Sequence, residues 1–259
     1  MAPMTKRLEK VALVTGAGAR IGKELALALA ADGWAVAVHY RASEGPAREV
    51  SEQIISRGGQ AAIVQGDLGD EEATAALLPA VARELGPVSC LINNASVFEF
   101  DSVESATRES WDLHLDVNLR APFVLSQAMA RDLPGAASGS IINIIDQRVE
   151  NLTPHFTSYT ISKSALWTIT QTLAQALAPA IRVNAISPGP VLPSPRQSPD
   201  AFAQQYTATP LERAVDTAEI CAAARFILAA PSLTGQMITI DSGQHLGWSQ
   251  GPKSGGPSE

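Results

Sequence analysis

The chain has 259 residues, with 19 lysines and arginines against 26 aspartates and glutamates, and its formal charge of −7 gives it no electrostatic reason to bind nucleic acid or an anionic membrane surface. Hydrophobic residues at 46% and charged residues at 17% supply a sizeable core and exclude a disordered chain. Only Cys90 and Cys221 carry thiols, so no disulfide framework is expected and a reducing, cytoplasmic setting is.

In chain order, residues 11–15 form a short apolar β-prone run closed by the turn Gly16-Ala17-Gly18. A helical pattern over 21–31 places Leu25 and Leu29 on one face and stops at Gly33. Residues 35–40 read as a second strand, 43–57 as a second helix and 61–67 as a third strand. A helix is expected over 70–85, weakened by Pro79. Residues 88–95 and 140–146 read as strands four and five, separated by one long helical stretch around 111–131. A helix over 158–178 leads to strand six at 181–187, and after a proline-rich loop come a helix near 217–230 and a last strand at 237–241. The first ten residues lead into a strand-like run too short for a secretory leader. The uncharged stretch 164–181 is punctuated by serine, threonine and glutamine, as in a helix of a soluble protein rather than a membrane span.

Near-continuous apolar strands alternating with helices predict an α/β fold: a single Rossmann-type domain, a doubly wound parallel sheet of about seven strands with helices on both faces. The domain is expected over residues 1–250, including a loop at 190–210, with a disordered tail at 251–259. Residues 188–199 hold five of the 17 prolines just beyond the carboxyl edge of a strand, where ligands bind in such folds. This segment reads as a substrate-covering loop or, more plainly, as a surface connection.

Where the first strand turns into the first helix stands Thr15-Gly16-Ala17-Gly18-Ala19-Arg20-Ile21-Gly22. Glycines there let the backbone approach a pyrophosphate, whose charge the helix N-terminus meets. Arg20 puts a cation beside the phosphates, or is a solvated arginine at a helix start. The second strand ends His39-Tyr40-Arg41-Ala42-Ser43 with no carboxylate before Glu44. An acid there would accept from a ribose 2′-hydroxyl and repel a 2′-phosphate, whereas Arg41 and Ser43 favour the phosphate, so NADPH is expected. Asp67 closes strand three, where it would bind an adenine amino group or simply turn the chain. Tyr159 and Lys163, four residues apart, project from one helical face, where an ammonium would lower the phenol pKa and make it a general acid.

Together these residues resemble the short-chain dehydrogenase/reductase family over nearly the whole chain. The matching motifs are the loop from Thr15 to Gly22, Asn93-Asn94-Ala95, Asn118, Tyr159-x-x-x-Lys163 and Pro188-Gly189, in the family's order and spacing. The resemblance implies that Tyr159 is the acid, that Lys163 lowers its pKa and binds the nicotinamide ribose, and that Asn118 holds a proton-relay water. It also implies that Asn93, Asn94, Ala95, Pro188 and Gly189 border the cofactor, and Ile21, Tyr40 and Leu68 are expected there too. Family members are usually tetramers, which suggests a homotetramer in which the segment with His245, Leu246 and Trp248 packs at an interface and approaches a neighbour's site.

Two departures narrow the resemblance. The family usually places a serine thirteen residues before the tyrosine, to donate to a carbonyl oxygen; here Asp146 stands there. An ionised carboxylate only accepts, and suits a substrate that presents N–H groups or gains a proton at nitrogen. Arg20 replaces a common glycine. Both departures are similar to pteridine reductases, the branch that reduces pterin and folate C=N bonds, as are the His39-Tyr40-Arg41-x-Ser43 run and Asn93-Asn94-Ala95-Ser96-x-Phe98. The resemblance implies that Phe98 stacks on a pterin opposite the nicotinamide, unless it is a core aromatic, and that Ser96 and Arg20 touch pterin or phosphates. The expected function is therefore NADPH-dependent reduction of a dihydropterin or dihydrofolate, with no metal. The alternatives are a ketone or 3-oxoacyl thioester reductase and a non-catalytic dinucleotide-binding regulator.

Overall fold

A computed structural model describes residues 10–247 except 136 and 195. The expected tail at 251–259 and Trp248 lie outside the described residues. Seven parallel strands form one sheet in the order β3-β2-β1-β4-β5-β6-β7. They are β1 Val11–Val14, β2 Ala35–Tyr40, β3 Ala61–Gln65, β4 Cys90–Asn93, β5 Gly139–Ile144, β6 Ile181–Pro188 and β7 Met237–Ile240. The helices are α1 Arg20–Ala31, α2 Glu44–Ser56, α3 Glu71–Glu84, α4 Arg108–Leu115, α5 Ala121–Asp132, α6 Thr157–Ala176, α7 Pro199–Thr207 and α8 Thr217–Ala229.

The strands read as unbroken apolar runs because both faces of the sheet are covered. In β1, Ala12 and Val14 join Leu25, Leu29, Val50, Ile54 and Ile227 on one side, the side of α1, α2 and α8. Val11 and Leu13 face the other side, packing with Leu77, Val81, Leu125, Met129 and Leu173 of α3, α5 and α6. After β3 the chain crosses to the other flank of β1, so the carboxyl ends of β1 and β4 part there and open a crevice at the topological switch point.

Two expectations are corrected. The helical stretch around 111–131 is α4 and α5 joined by a π turn over Asp116–Arg120. Pro122 sits in the first turn of α5 and lacks the N–H that would bond the Asn118 carbonyl, which favours the slip in register there. The loop 190–210 contains α7, which Ser198 caps by accepting from Ala201 N at 3.1 Å, with Pro199 and Asp200 in its first turn. Pro79 is accommodated inside α3 because it and Ala75, whose carbonyl it leaves without a partner, face solvent. Among the described residues, no helix is long and apolar enough to cross a membrane.

Candidate active site

The turn after β1 is held by hydrogen bonds of the Thr15 and Asn94 side chains. Thr15 Oγ1 accepts from the N–H groups of Asn94 at 2.9 Å and Ala95 at 3.0 Å. Asn94 Nδ2 donates back to the Thr15 carbonyl at 2.9 Å and, at 3.3 Å, to that of Gly16. Gly16 adopts φ +63°, and a side chain at Gly22 would meet the Gly16 carbonyl at 2.3 Å, so the loop lies directly on the helix start. Ala19 caps α1 without a side-chain oxygen, and no acidic residue occupies the first turn. Its leading N–H groups therefore have no side-chain cap among the described residues and suit an anion such as a pyrophosphate.

His39 does not line the crevice. It is buried, its Nδ1 accepts from Gly16 N at 3.0 Å, and its Nε2 faces the Gly66 carbonyl at 3.1 Å, which places the proton on Nε2. Burial pushes the imidazole down to about 4, so it stays neutral and acts as a strut between the glycine turn and the end of β3. Arg41 and Ser43 are exposed just beyond β2, and Ser43, at the head of α2, makes no capping bond. Tyr40 is half-buried. Leu68 belongs to the core rather than the crevice. Asp67 Oδ1 accepts from Gly69 N at 2.9 Å, the arrangement of a turn aspartate. Asn93 is buried and donates to Asn143 Oδ1 at 2.8 Å, tying β4 to β5.

The opposite wall comes from β5 and α6. The Tyr159 hydroxyl donates to Asp146 Oδ2 at 2.8 Å, and Asp146 Oδ1 accepts from Arg148 N at 2.9 Å. Lys163 is 2% exposed, donates to the Ile144 carbonyl at 2.8 Å, and lies 5.8 Å above the Tyr159 ring. Burial lowers its ammonium to about 8, against the opposing pull of Asp146. The net effect on the Tyr159 phenol runs opposite to the lowering expected from Lys163. Burial, followed by the neighbouring Asp146 charge, raises the phenol well above its usual value and keeps its proton in place.

Asn118, in the π turn, pairs with the backbone of Val97: its Oδ1 accepts from Val97 N at 2.8 Å and its Nδ2 donates to Val97 O at 2.9 Å. Ser96 Oγ also donates to Asn118 Oδ1, at 3.2 Å. Asn118, the residue expected to hold a relay water, has its side chain engaged in fixing residues 96–97. Phe98 is half-buried on the cleft, stacked on Phe156 with ring centres 4.2 Å apart and edge-on to Tyr159 at 4.6 Å. It thus belongs both to an aromatic cluster and to the wall.

These walls enclose a cleft of about 450 Å³. Gly16, Arg20, Ile21, Asn94, Ala95, Ser96, Phe98, Asp146, Tyr159, Lys163, Pro188 and Gly189 line it, whereas His39, Arg41, Ser43, Asp67, Leu68, Asn93 and Asn118 do not. Gly189 is required there because a side chain would meet Asp241 Cα at 2.6 Å. A larger groove of about 610 Å³ lies at the other end of the sheet around Trp34 and Arg57, but it gathers no interacting pair of the Tyr159–Asp146 kind.

Sequence reasoning missed three features. Arg20 donates to the carbonyls of Pro193 at 2.7 Å and Leu192 at 3.0 Å, holding the loop after β6 over the cleft. Arg196 performs the same task from the loop side, pairing with Glu99 Oε2 at 2.6 Å. Beneath Tyr159, His114 Nε2 accepts from Glu99 N at 3.0 Å, its Nδ1 lies 2.7 Å from Ser158 Oγ, and that hydroxyl donates to the buried Asp101 carboxylate. No local pattern marks this chain of bonds, whose members His114 and Asp101 lie 44 and 57 residues from Ser158.

Residues 10–202 match the short chain dehydrogenase family. FolM alternative dihydrofolate reductase 1 from Brucella suis, solved in complex with NADP, is similar with 45% identity and a TM-score of 0.90, covering 93% of this chain and 97% of that one. An oxidoreductase of Methylorubrum extorquens is 36% identical over 93% of this chain and 99% of its own. The 3-oxoacyl-[acyl-carrier-protein] reductase FabG of Staphylococcus epidermidis is 30% identical over 92% of this chain and 100% of its own.

Proposed function

This chain belongs to the short-chain dehydrogenase family and is an oxidoreductase, and we propose that it reduces pterin or folate C=N bonds with NADPH, converting a dihydropterin to a tetrahydropterin. The observation that carries this reading is the 2.8 Å hydrogen bond from Tyr159 to Asp146, a carboxylate in place of the serine that would serve a carbonyl oxygen. The likeness to the FolM dihydrofolate reductase, at 45% identity, supports it.

The uncapped start of α1 and the glycine turn fit a pyrophosphate, and Arg41 and Ser43 fit a 2′-phosphate. Asn94, Ala95, Pro188 and Gly189 border the nicotinamide end, and the Lys163 ammonium, deep in the cleft, holds its ribose. When bound, the dinucleotide supplies a hydride to the ring carbon of the C=N bond. Tyr159 delivers the balancing proton to the ring nitrogen, so that C=N becomes CH–NH. Its raised pKa ensures that it carries a proton to give, and makes proton loss favourable only as basicity grows on the nitrogen. Asp146 orients the hydroxyl and accepts from substrate N–H groups. Phe98 and Ser96 contact the pterin, and Asn118 keeps them in place through Val97. The molecule works as a homotetramer, as its relatives' family suggests.

The alternative, a 3-oxoacyl thioester reductase, draws on the 30% identity to FabG. NADPH oxidation with dihydrobiopterin, dihydromonapterin, dihydrofolate and an acetoacetyl thioester, run side by side, decides between them. The pterin reading expects turnover with at least one of the first three and little with the thioester; the reverse order overturns it.

A further inference from the structure

Among the described residues, the side-chain oxygen of one residue in the cleft wall has no hydrogen-bond partner. Gln147 follows Asp146, opens a short 3₁₀ turn over Gln147–Val149 and is 7% exposed. Its backbone carbonyl is engaged by the N–H groups of Glu150 and Asn151. Its side-chain Oε1 is buried with no hydrogen-bond partner among the described residues, and the residue lines the cleft, so a turn of the side chain is needed to bring Oε1 to a ligand there. A buried amide left unpaired destabilises the fold, and a leucine or methionine would fill similar space without that cost. The neighbouring Asp146 differs: both of its oxygens already accept, one from Tyr159 and one from Arg148 N.

A glutamine amide presents an acceptor and donors in one plane. Its complement is a planar edge with a donor beside an acceptor, the way glutamine reads an adenine edge. An aminopyrimidine ring has such an edge, in its amino group and ring nitrogen or its ring N–H and carbonyl. A ketone or acyl thioester offers acceptors alone and would leave Oε1 unmatched. We propose that Gln147 is a specificity-determining residue whose side-chain amide turns into the cleft to pair with the donor–acceptor edge of the pterin ring. This inference rests on the pterin reading above.

The test compares wild type, Gln147→Leu and Gln147→Glu, with dihydrobiopterin turnover, NADPH binding by fluorescence and thermal melting of the ligand-free protein. Should Gln147→Leu fail to fold, Gln147→Met carries the same comparison. The expected result is a KM for dihydrobiopterin raised about tenfold or more in Gln147→Leu, with kcat and NADPH Kd within about threefold of wild type. Gln147→Glu, which keeps an acceptor, shows a smaller rise. The Tm of Gln147→Leu stays level or increases, because an unmatched buried amide has gone. An unchanged KM overturns the proposal, as does a loss confined to NADPH affinity, which would assign the amide to the nicotinamide carboxamide. A lowered Tm with kcat and KM worsening together also overturns it, by showing a structural role. If wild type turns over no pterin at all, the functional reading itself falls; an active wild type with an unaffected variant removes only Gln147.

Discussion

The two walls of the cleft are built on opposite plans. On the wall from β1, β2 and β4, the polar side chains of Thr15, His39 and Asn94 turn inward and bind backbone atoms. At the turn itself the cleft is lined by Gly16, Ala19, Gly22 and Ala95, residues with little or no side chain. On the wall from β5 and α6, the side chains themselves face the cleft: Asp146, Gln147, Tyr159 and Lys163. A main-chain surface suits a ligand group that is the same in every dinucleotide, whereas a side-chain surface can be rewritten one residue at a time. The first wall therefore carries binding and the second carries the choice of reaction, and substitutions should separate along that line.

The largest effect is expected from Tyr159→Phe. It removes the proton donor while leaving the ring that packs against Phe98, so kcat with dihydropterin should fall by about 10³-fold, within the usual range for losing a general acid. NADPH Kd, read by fluorescence, should stay close to wild type. A comparable loss of NADPH affinity would mean that the walls do not divide the work.

Asp146→Ser comes next. It restores the hydroxyl usual in the family and removes the acceptor for the Tyr159 proton. Steady-state kinetics should show kcat on dihydropterin lowered by about 10²-fold, NADPH affinity nearly intact and a trace activity on activated ketones increased. The Tyr159 phenol should also titrate lower by ultraviolet absorbance, since a charge that raises its pKa has gone. A variant as fast as wild type on dihydropterin would make the carboxylate a bystander.

The first wall was the more legible in the sequence, and the reason is local. The glycine turn, the strand-two ending and the apolar strands are short contiguous patterns, and burial on both faces of a parallel sheet makes the strands readable as runs of valine, isoleucine and leucine. Even so, the part played by His39 was misplaced, because its partners Gly16 and Gly66 lie 23 and 27 residues away. On the second wall, Tyr159 and Lys163 were found by spacing, but their electrostatics were not. Whether an ammonium or a carboxylate governs a phenol depends on burial and distance, which a spacing of four does not encode. The bonds joining Ser158 to Asp101 and His114 span 57 and 44 residues, beyond any local pattern. The prolines of residues 190–210 hid α7, whose Ser-Pro-Asp start is itself a helix signal.

A third substitution probes the first wall at its rim. Arg41→Asp replaces a cation suited to a 2′-phosphate by a charge that repels it, at an exposed position outside the core. The ratio of kcat/KM for NADPH over NADH should fall on the order of 30-fold, as expected for losing a charge-assisted hydrogen bond. kcat with saturating NADPH should hardly change. Equal kcat/KM for the two cofactors in wild type would show that β2 was misread.

The smallest effect is a matter of pH, and it comes from the one residue that serves both walls. Lys163 sits on the side-chain wall yet is proposed to hold the ribose of the dinucleotide, and burial brings its ammonium down to about 8 from 10.5. It is therefore mostly charged at pH 7 and mostly neutral at pH 9. If the ammonium holds the ribose, NADPH affinity should weaken by up to about tenfold between those two values, following the charged fraction. Stability of the ligand-free protein should move the other way. A lysine whose pKa is depressed on folding contributes stability that is fully present above pH 10.5 and lost progressively as pH falls to about 8, because over that range the unfolded lysine takes up a proton that the buried amine does not. Relative to Lys163→Met, wild type should therefore gain up to about 3 kcal/mol between pH 8 and 10.5 in denaturant melts. The variant should bind NADPH more weakly at pH 7 and with little dependence on pH. Wild-type affinity equal at pH 7 and 9 would place the ribose contact elsewhere and leave Lys163 to the reaction wall alone.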